Sequence, residues 1–263
     1  MTAADGTSEG LRPLDERGWR SGLSSLMGAG FGSWWKTKEW WIHSLMWTAI
    51  INGSLAVAIW GEAPDELDVF TLYGVMTMFA AIAVAILMQE AIVGEKRSGT
   101  AAWIHSKPVS RSAFMLSKLV PNAVGMLATM IAIPSVVLLV QMELGGIDVS
   151  VSRFILGASV AGLNLMFYLT LTLMLGTIFN TAGPVIAIPL AIAFGQQLIS
   201  ALPGLGEILP WGLVVASGEA DSSVIGALIA GEPIPAPGAV VLTFLACLAF
   251  TGVAFLKWNR TEL

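Results

Sequence analysis

Six long apolar runs dominate the chain, and short polar segments separate them. The runs cover residues 40–60, 70–93, 114–140, 154–179, 184–202 and 238–257. A helix needs about 20 apolar residues to cross the hydrocarbon core of a bilayer, and each run is close to that length. The pattern therefore predicts an all-α membrane protein with six transmembrane helices.

The composition agrees with this pattern. Mean hydropathy is +0.78 and charged residues make up only 12% of the chain, values far outside the usual range of soluble domains. We predict three parts: a flexible polar tail at residues 1–18, an elbow helix at residues 19–39, and a six-helix membrane domain at residues 40–263. The segments between the runs are too short to form a further soluble domain.

The elbow has a periodicity of its own. Its apolar residues recur at helical spacing, while serines and glycines occupy most of the opposite side. This pattern predicts an amphipathic helix that lies in the headgroup plane and does not cross the membrane. Because glycine is a poor helix former, an irregular arm is the alternative. The apolar positions are Trp19, Leu23, Leu26, Met27, Gly30, Phe31, Trp34 and Trp35.

The basic residues are sorted by side. If the N-terminus is cytoplasmic, 12 of the 13 lysines and arginines lie on the cytoplasmic side, and Arg153 alone lies outside. The positive-inside rule then predicts a multi-pass protein of the plasma membrane with both termini in the cytoplasm. The opening residues contain no apolar stretch typical of a signal peptide, so we expect no cleaved leader.

Two shorter apolar stretches, residues 208–216 and 224–230, lie between the fifth and sixth runs. Each is too short to cross a bilayer, and each is bordered by prolines or glycines. We expect short re-entrant or interfacial helices on the outer side of the membrane, where they would form a lid or vestibule.

Amide side chains occur within several runs, where hydrocarbon offers them no partner. Asn52, Asn164, Gln196 and Gln197 are the candidates for a substrate path. Each has a second interpretation, since a hydrogen bond to a neighbouring helix also satisfies a buried amide. Gln196 and Gln197 point about 100° apart on a helix, so we do not expect one neighbour to satisfy both.

Residues 94–112, GEKRSGTAAWIHSKPVSRS, carry four of the 13 cations between the second and third runs. Gly99 and Thr100 can begin a short helix, and Pro108 ends it. Trp103 and Ile104 on that helix are then available to contact another molecule. The residues alone leave two interpretations open: a solvated loop whose charges orient the protein, or a rigid docking element.

Ten residues of this segment and the following run match a known pattern in order and spacing. The pattern is E-K/R-x-x-G-T, then P-V-S-R after seven residues, then K after six more. It resembles the loop between spans two and three of type 2 ABC transporter permeases, whose general features cover nearly the whole chain. Residues 101–103 depart from the family's Leu-rich stretch, and Ser117 stands where glycine is common. The matching residues are Glu95, Lys96, Arg97, Gly99, Thr100, Pro108, Val109, Ser110, Arg111 and Lys118.

The resemblance implies a coupling helix that sits in a cleft of a separate ATP-binding subunit, the subunit that binds ATP and Mg²⁺. Two copies of the chain would form a homodimer that exports an amphipathic or hydrophobic substrate such as a drug, lipid or peptide. Within the segment, Glu95 and Arg111 could pair with each other or with the N-terminal arm, and Lys118 could reach the membrane interface. The residues assigned to coupling are Glu95, Gly99, Thr100, Trp103, Ile104, Pro108, Arg111 and Lys118.

Motifs for other functions do not occur in the sequence. It contains no G-x-x-x-x-G-K-[ST] phosphate loop, no H-E-x-x-H and no G-x-S-x-G, and it suggests no catalytic residue, metal site, cofactor or nucleic-acid partner. We therefore expect a transport subunit and not an enzyme, with membrane lipid, a second copy and the ATP-binding subunit as partners. The alternative is an ATP-independent carrier or channel, although the middles of the runs carry no row of charges for an ion path.

Overall fold

The structure is a computed structural model in which most of the chain is described, and the predicted tail lies outside the described residues except for Gly18. All regular secondary structure in the described parts is helical. The described residues are 18–61, 66–200, 202, 205, 207–216 and 222–260, without the side chain of His105.

The helices follow one another with short connections. In chain order they are α1 (Leu23–Trp35), α2 (Glu39–Ile59), α3 (Glu66–Arg97), α4 (Thr100–His105), α5 (Arg111–Leu144), α6 (Val151–Ile178), α7 (Ala182–Ile199), α8 (Trp211–Val214), α9 (Val224–Ala230) and α10 (Pro237–Asn259). Two π-helical turns interrupt the α-helical pattern, Glu90–Gly94 in α3 and Leu127–Ala132 in α5. The turn in α5 comes just before Pro134, which has no N–H for a helical hydrogen bond.

Six of these helices, α2, α3, α5, α6, α7 and α10, are long and apolar enough to cross a membrane. Each overlaps one of the six predicted runs, so the all-α fold with six candidate spans is confirmed. Helix α3 continues past its apolar run to Arg97, and α5 begins before its apolar run, at Arg111. Polar residues of the segment 94–112 therefore extend both helices.

Successive spans alternate in direction, which gives the bundle two different ends. At the basic end, the segment between α3 and α5 meets the last turns of α6 and α10. The Lys96 Nζ lies 3.1 Å from the Thr177 carbonyl oxygen, and the Arg111 Nη1 lies 2.7 Å from that of Asn259. The opposite end, the acidic end, carries the described carboxylates Glu66, Asp68, Glu143, Asp148, Glu207 and Glu232.

Helix α6 is the centre of the bundle. It contacts α3, α5, α7, α8, α9 and α10, and 61% of its most apolar 18-residue stretch is buried, against 22% for α7 and for α10. Small residues permit this crowding, since a side chain at Gly157 would collide with Ile229 of α9. The rings of Tyr73 and Phe154 stack with centroids 5.6 Å apart and fix α3 against α6.

Helix α5 projects beyond α2 at the basic end. The two helices run in the same direction, and at the acidic end a side chain at Gly145 would collide with Ile59, so they end at the same level there. Helix α5 has 34 residues and α2 has 21. At 1.5 Å per residue, α5 is about 20 Å longer than α2. This additional length extends past the first turn of α2, and residues 94–112 lie at its end.

Helix α1 lies along this projecting part of α5. A side chain at Gly30 would lie 2.7 Å from the Pro121 Cγ, and the Trp34 indole N–H donates to the Asn122 Oδ1 at 3.0 Å. Later residues of α1 contact later residues of α5, so the two helices run in the same direction. Its apolar side, which the sequence predicted to enter the headgroup plane, packs on α5, because the projection of α5 offers apolar surface there. The opposite side, including Ser25, is exposed.

Helices α8 and α9 lie at the acidic end, within the two short apolar stretches at residues 208–216 and 224–230. The Ser223 Oγ caps α9 by accepting a hydrogen bond from the Gly226 N–H at 3.1 Å. Helix α9 packs on α3 and α6, and α8 contacts α3, α6, α7 and α10. Both helices therefore cover part of the acidic end without crossing the bundle.

Candidate functional site

The segment of residues 94–112 turns sharply between α3 and α5. Gly99 has a φ of 74°, a left-handed conformation that residues with a side chain rarely adopt, and it turns the chain from α3 into α4. Pro108 follows α4. Ser110 caps α5, because its Oγ accepts a hydrogen bond from the Ala113 N–H at 2.9 Å. The glycine, the proline and the serine of the motif thus set the backbone path.

Glu95 and Lys118 form an ion pair between α3 and α5. Each side chain is 21% exposed, so water screens this pair less than it screens an ordinary surface pair. The Lys118 Nζ also lies 5.4 Å from the centroid of the Phe114 ring. The pair therefore holds the ends of the two helices together beside the turn.

Lys96 binds the end of α6. Its Nζ donates to the carbonyl oxygens of Thr177 and Phe179, at 3.1 and 3.3 Å. The last carbonyl groups of a helix have no partner inside the helix, and together they carry a partial negative charge. A lysine suits both properties, and it joins α3 to α6.

Arg111 binds the end of α10 in the same way. Its Nη1 donates to the carbonyl oxygens of Trp258 and Asn259, at 3.2 and 2.7 Å. Beside it, the rings of Phe114 and Trp258 stack 5.0 Å apart with 8° between their planes. The pairing of Arg111 with Glu95 that the sequence suggested is wrong, because Glu95 already has a cationic partner and Arg111 reaches the α10 carbonyls.

Ser110 joins α1 to the segment of residues 94–112. Its N–H donates to the Ser21 carbonyl oxygen at 3.0 Å, and its hydroxyl donates to the carbonyl oxygen of Trp19. The packing is close there, since a side chain at Gly22 would lie 2.8 Å from the Val109 Cγ2. Residues 94–112 and their surroundings therefore link α1, α3, α5, α6 and α10.

Helix α4 has an inner and an outer side. Ala101 is fully buried, and Ile104 packs against the hydrophobic core. Trp103 is 64% exposed, and the Lys107 Nζ lies 5.3 Å from the centroid of its ring. The outer side is thus an aromatic and basic surface at the tip of the projecting segment.

A comparison with protein families agrees with the resemblance of the motif. A family profile described as "ABC-2 family transporter protein" matches residues 8–207. The chain belongs to this family. It is therefore a multi-pass membrane protein and the permease of an ABC transporter, and permeases of this family normally work with an ATP-binding subunit. A comparison with curated proteins gave no match.

Two amides predicted for the substrate path of this ABC-2 permease link helices to one another. The Asn52 Nδ2 donates to the Pro134 carbonyl oxygen at 3.1 Å and joins α2 to α5. The Gln196 Nε2 lies 3.3 Å from the Tyr168 hydroxyl, and its Oε1 accepts a hydrogen bond from the Trp211 N–H at 2.7 Å. Gln196 therefore joins α7 to α6 and to α8.

The other two amides are placed differently. Gln197 is exposed on α7. Asn164 is 1% exposed within α6, and its Nδ2 has no hydrogen-bond partner among the described residues. None of the hydrogen bonds of these side chains joins one of the four amides to another, so the four do not form a cluster. The described part of the permease also contains no group of three or more His, Cys, Asp or Glu side chains that could hold a metal ion.

Sequence reasoning missed the partners of the motif residues. Lys96 and Arg111 bind backbone carbonyls of α6 and α10, and Phe114 stacks on a tryptophan near the end of α10. Backbone acceptors leave no trace in the sequence. The one available signal was Trp258, an aromatic residue next to Lys257 in the last turn of the last span.

Proposed function

We propose that the permease exports an amphipathic or hydrophobic substrate such as a drug, lipid or peptide, and that a separate ATP-binding subunit drives it by docking on α4. One observation carries the proposal: a segment with the family motif projects at the basic end, anchors four spans, and exposes Trp103 at its tip. Large exposed aromatic side chains of this kind often dominate the energy of protein–protein contacts.

The anchoring contacts give a route for mechanical coupling. A displacement of α4 would act on α3 and α5 through the chain itself and through the pair of Glu95 and Lys118. It would act on α6 through Lys96 and on α10 through Arg111. A solvated loop that only orients the protein needs no such contacts, so they favour the docking interpretation.

The charges support an orientation in which the basic end is cytoplasmic. Among the described lysines and arginines, only Arg153 lies at the acidic end. The positive-inside rule then puts both termini and residues 94–112 in the cytoplasm of a cell whose plasma membrane holds the permease. ATP is available on that side, as the proposed partner requires.

An apolar crevice at the surface of the bundle supports an apolar or amphipathic cargo. A crevice of about 700 Å³ between α5 and α6 is lined almost wholly by apolar side chains, among them Leu127, Leu139, Ile155 and Met166. A second copy of the chain would complete the translocation path. Only 22% of the most apolar stretch of α7 is buried within one chain, which leaves a surface for that copy or for lipid.

The test compares two exposed tryptophans at opposite ends, Trp103 with 64% exposure and Trp60 with 59%. The tagged permease is purified with its ATP-hydrolysing partner, and the affinity of the complex is measured for Trp103→Ala and Trp60→Ala. We expect Trp103→Ala to weaken the complex about 30-fold, the effect of losing an interface contact worth about 2 kcal/mol, and Trp60→Ala to leave it unchanged. Equal affinities would contradict docking on α4, and purification without any ATPase would favour the ATP-independent carrier.

A further inference from the structure

A polar cavity lies at the basic end, away from residues 94–112. Its volume is about 250 Å³, and it opens between α1, the first turn of α2, α3 and α5. Its polar lining comes from Ser33, Trp34, Thr37, Glu39, His43 and Asn122. Nothing in the proposed coupling mechanism uses these side chains, and their chemistry indicates a ligand.

Most hydrogen-bond donors of the lining are already used. The Ser33 hydroxyl donates to the Gly30 carbonyl oxygen at 2.7 Å, and the Thr37 hydroxyl donates to the Ser33 carbonyl oxygen at 2.5 Å. The Trp34 indole N–H donates to the Asn122 Oδ1 at 3.0 Å, and the Asn122 amide donates to a backbone carbonyl of α5 at 2.7 Å. The Thr37 hydroxyl oxygen also accepts a hydrogen bond from the Glu39 N–H, at 3.3 Å. Apart from the second N–H of the Asn122 amide, what these groups can still offer a ligand is lone pairs, those of the Ser33 hydroxyl oxygen and the remaining one of Thr37.

The remaining lining groups are acceptors. His43 lies across from the Trp34 ring, its Nε2 is 3.9 Å from the Glu39 Oε2, and its Nδ1 is buried without a hydrogen-bond partner in the described structure. With the proton on Nε2, facing the carboxylate, Nδ1 is a lone pair. Glu39 adds a negative charge. The cavity therefore suits a cation that carries several N–H donors, which is the chemistry of a primary ammonium group.

The position of the cavity identifies where such a cation would come from. Trp35, Trp40 and Trp41 are exposed and adjoin the lining residues Trp34 and Glu39 in the chain, and tryptophans concentrate at the boundary between water and hydrocarbon. Lys36 and Lys38 flank Thr37 and are exposed. A ligand at this level thus meets acceptors inside the cavity and two cations beside it.

We propose that this cavity binds the headgroup of phosphatidylethanolamine. The ammonium group lies in the cavity, where Glu39 supplies the charge and the oxygens of Ser33 and Thr37, with the His43 Nδ1, accept its N–H bonds. The phosphate lies outside, near Lys36 and Lys38. Phosphatidylcholine is the informative comparison, because its trimethylammonium group carries a similar charge but no N–H donor.

The experiment measures lipid binding by the purified full-length permease in detergent. Phosphatidylethanolamine and phosphatidylcholine, each with the same fluorescent acyl chain, are titrated against the protein. We expect phosphatidylethanolamine to bind about tenfold more tightly, a ratio in the range of one or two charge-assisted hydrogen bonds. Equal affinities for the two lipids would overturn the proposal.

Glu39→Gln and Glu66→Gln form a matched pair of variants, since each removes a carboxylate from the first turn of a span, one at each end of the bundle. We expect Glu39→Gln to abolish the preference for phosphatidylethanolamine and Glu66→Gln to retain it. The Glu39 side chain is 64% exposed, so its substitution is not expected to disturb the fold, and thermal unfolding checks this. A preference that survives in Glu39→Gln overturns the proposal.

His43→Phe provides a second variant that keeps an aromatic ring against Trp34 while it removes the acceptor. We expect a several-fold weaker preference for phosphatidylethanolamine. Free ethanolamine is titrated as a separate arm. If it binds as tightly as the lipid, the cavity recognises a soluble amine and the lipid assignment is wrong. None of these measurements involves ATP, so their outcome is independent of the proposed transport function.

Discussion

Lys96 and Arg111 are cations at the basic end, and each binds the last carbonyl groups of a helix that is distant in sequence. A count of positive charges assigns them only to the orientation of the protein. The structure adds a second role, because helix C-terminal carbonyls lack intrahelical partners and attract a positive charge. Two motif residues therefore determine how α6 and α10 attach to the segment.

The adjacent amides Gln196 and Gln197 allow a test at the scale of single residues. Gln196 is buried and joins α6, α7 and α8, whereas Gln197 is exposed. We expect Gln196→Ala to lower the free energy of unfolding by about 1–3 kcal/mol, because it leaves the Trp211 N–H without its acceptor. Gln197→Ala should be neutral. Unfolding by heat or denaturant in detergent measures both. If the two variants are equally stable, Gln196 does not have a structural role.

At the scale of elements, the packing of α1 on α5 depends on small residues. Gly30 faces Pro121, and Gly125 of α5 faces the Trp34 ring so closely that a side chain there would collide with it. Close approach of two helices over glycine brings more atoms into contact, which compensates for the low helix propensity of glycine. This explains why α1 forms a helix although its glycines made an irregular arm a serious alternative.

Two glycines of α1 test this packing. A Cβ atom at Gly30 would lie 2.7 Å from the Pro121 Cγ, whereas a Cβ atom at Gly28 would meet nothing within 4 Å, so Gly30→Val and Gly28→Val form a matched pair. Both variants change helix propensity equally, so they differ only in packing. We expect Gly30→Val to cost about 1–3 kcal/mol and to raise amide hydrogen exchange in residues 23–35. Similar exchange in both variants would show that α1 is not held by its contact with α5.

At the scale of the whole molecule, the six candidate spans set how the chain is arranged in the membrane. Residues 94–112 project about 20 Å past the first turn of α2 because α5 is 34 residues long and α2 is 21. Such a projection places the segment where a soluble subunit can reach it. Because the two ends lie on opposite sides of the membrane, an experiment can measure which end faces the cytoplasm.

Labelling of single cysteines tests that orientation. In a Cys247→Ala background, Ser106→Cys places an exposed thiol at the basic end and Ser152→Cys places one at the acidic end. We expect a membrane-impermeant maleimide to label only Ser152→Cys in intact cells, and both variants after permeabilisation. Labelling of Ser106→Cys in intact cells would reverse the proposed orientation and place residues 94–112 on the side of the membrane that lacks ATP.

The sequence predicts the helices of the fold better than it predicts which side chains of the candidate site are exposed. Helix α5 was predicted from its apolar run at residues 114–140, and it begins earlier, at Arg111, because Ser110 caps it and polar residues continue the helix. Trp103 was predicted to be available for contact, and it is exposed. Ile104 was grouped with it, and it packs against the core. Adjacent residues on a helix point in different directions, and only the neighbouring helices determine which side is inner.

The sequence by itself determined the number of spans, the segregation of basic from acidic residues, and the membership in a permease family. These properties depend on local composition and on motif spacing, which can be read along the chain. Only the tertiary structure decided which group pairs with Glu95, which carbonyls bind Lys96 and Arg111, and how α1 lies on α5. Those contacts join residues far apart in the chain, and many involve backbone atoms that every residue shares.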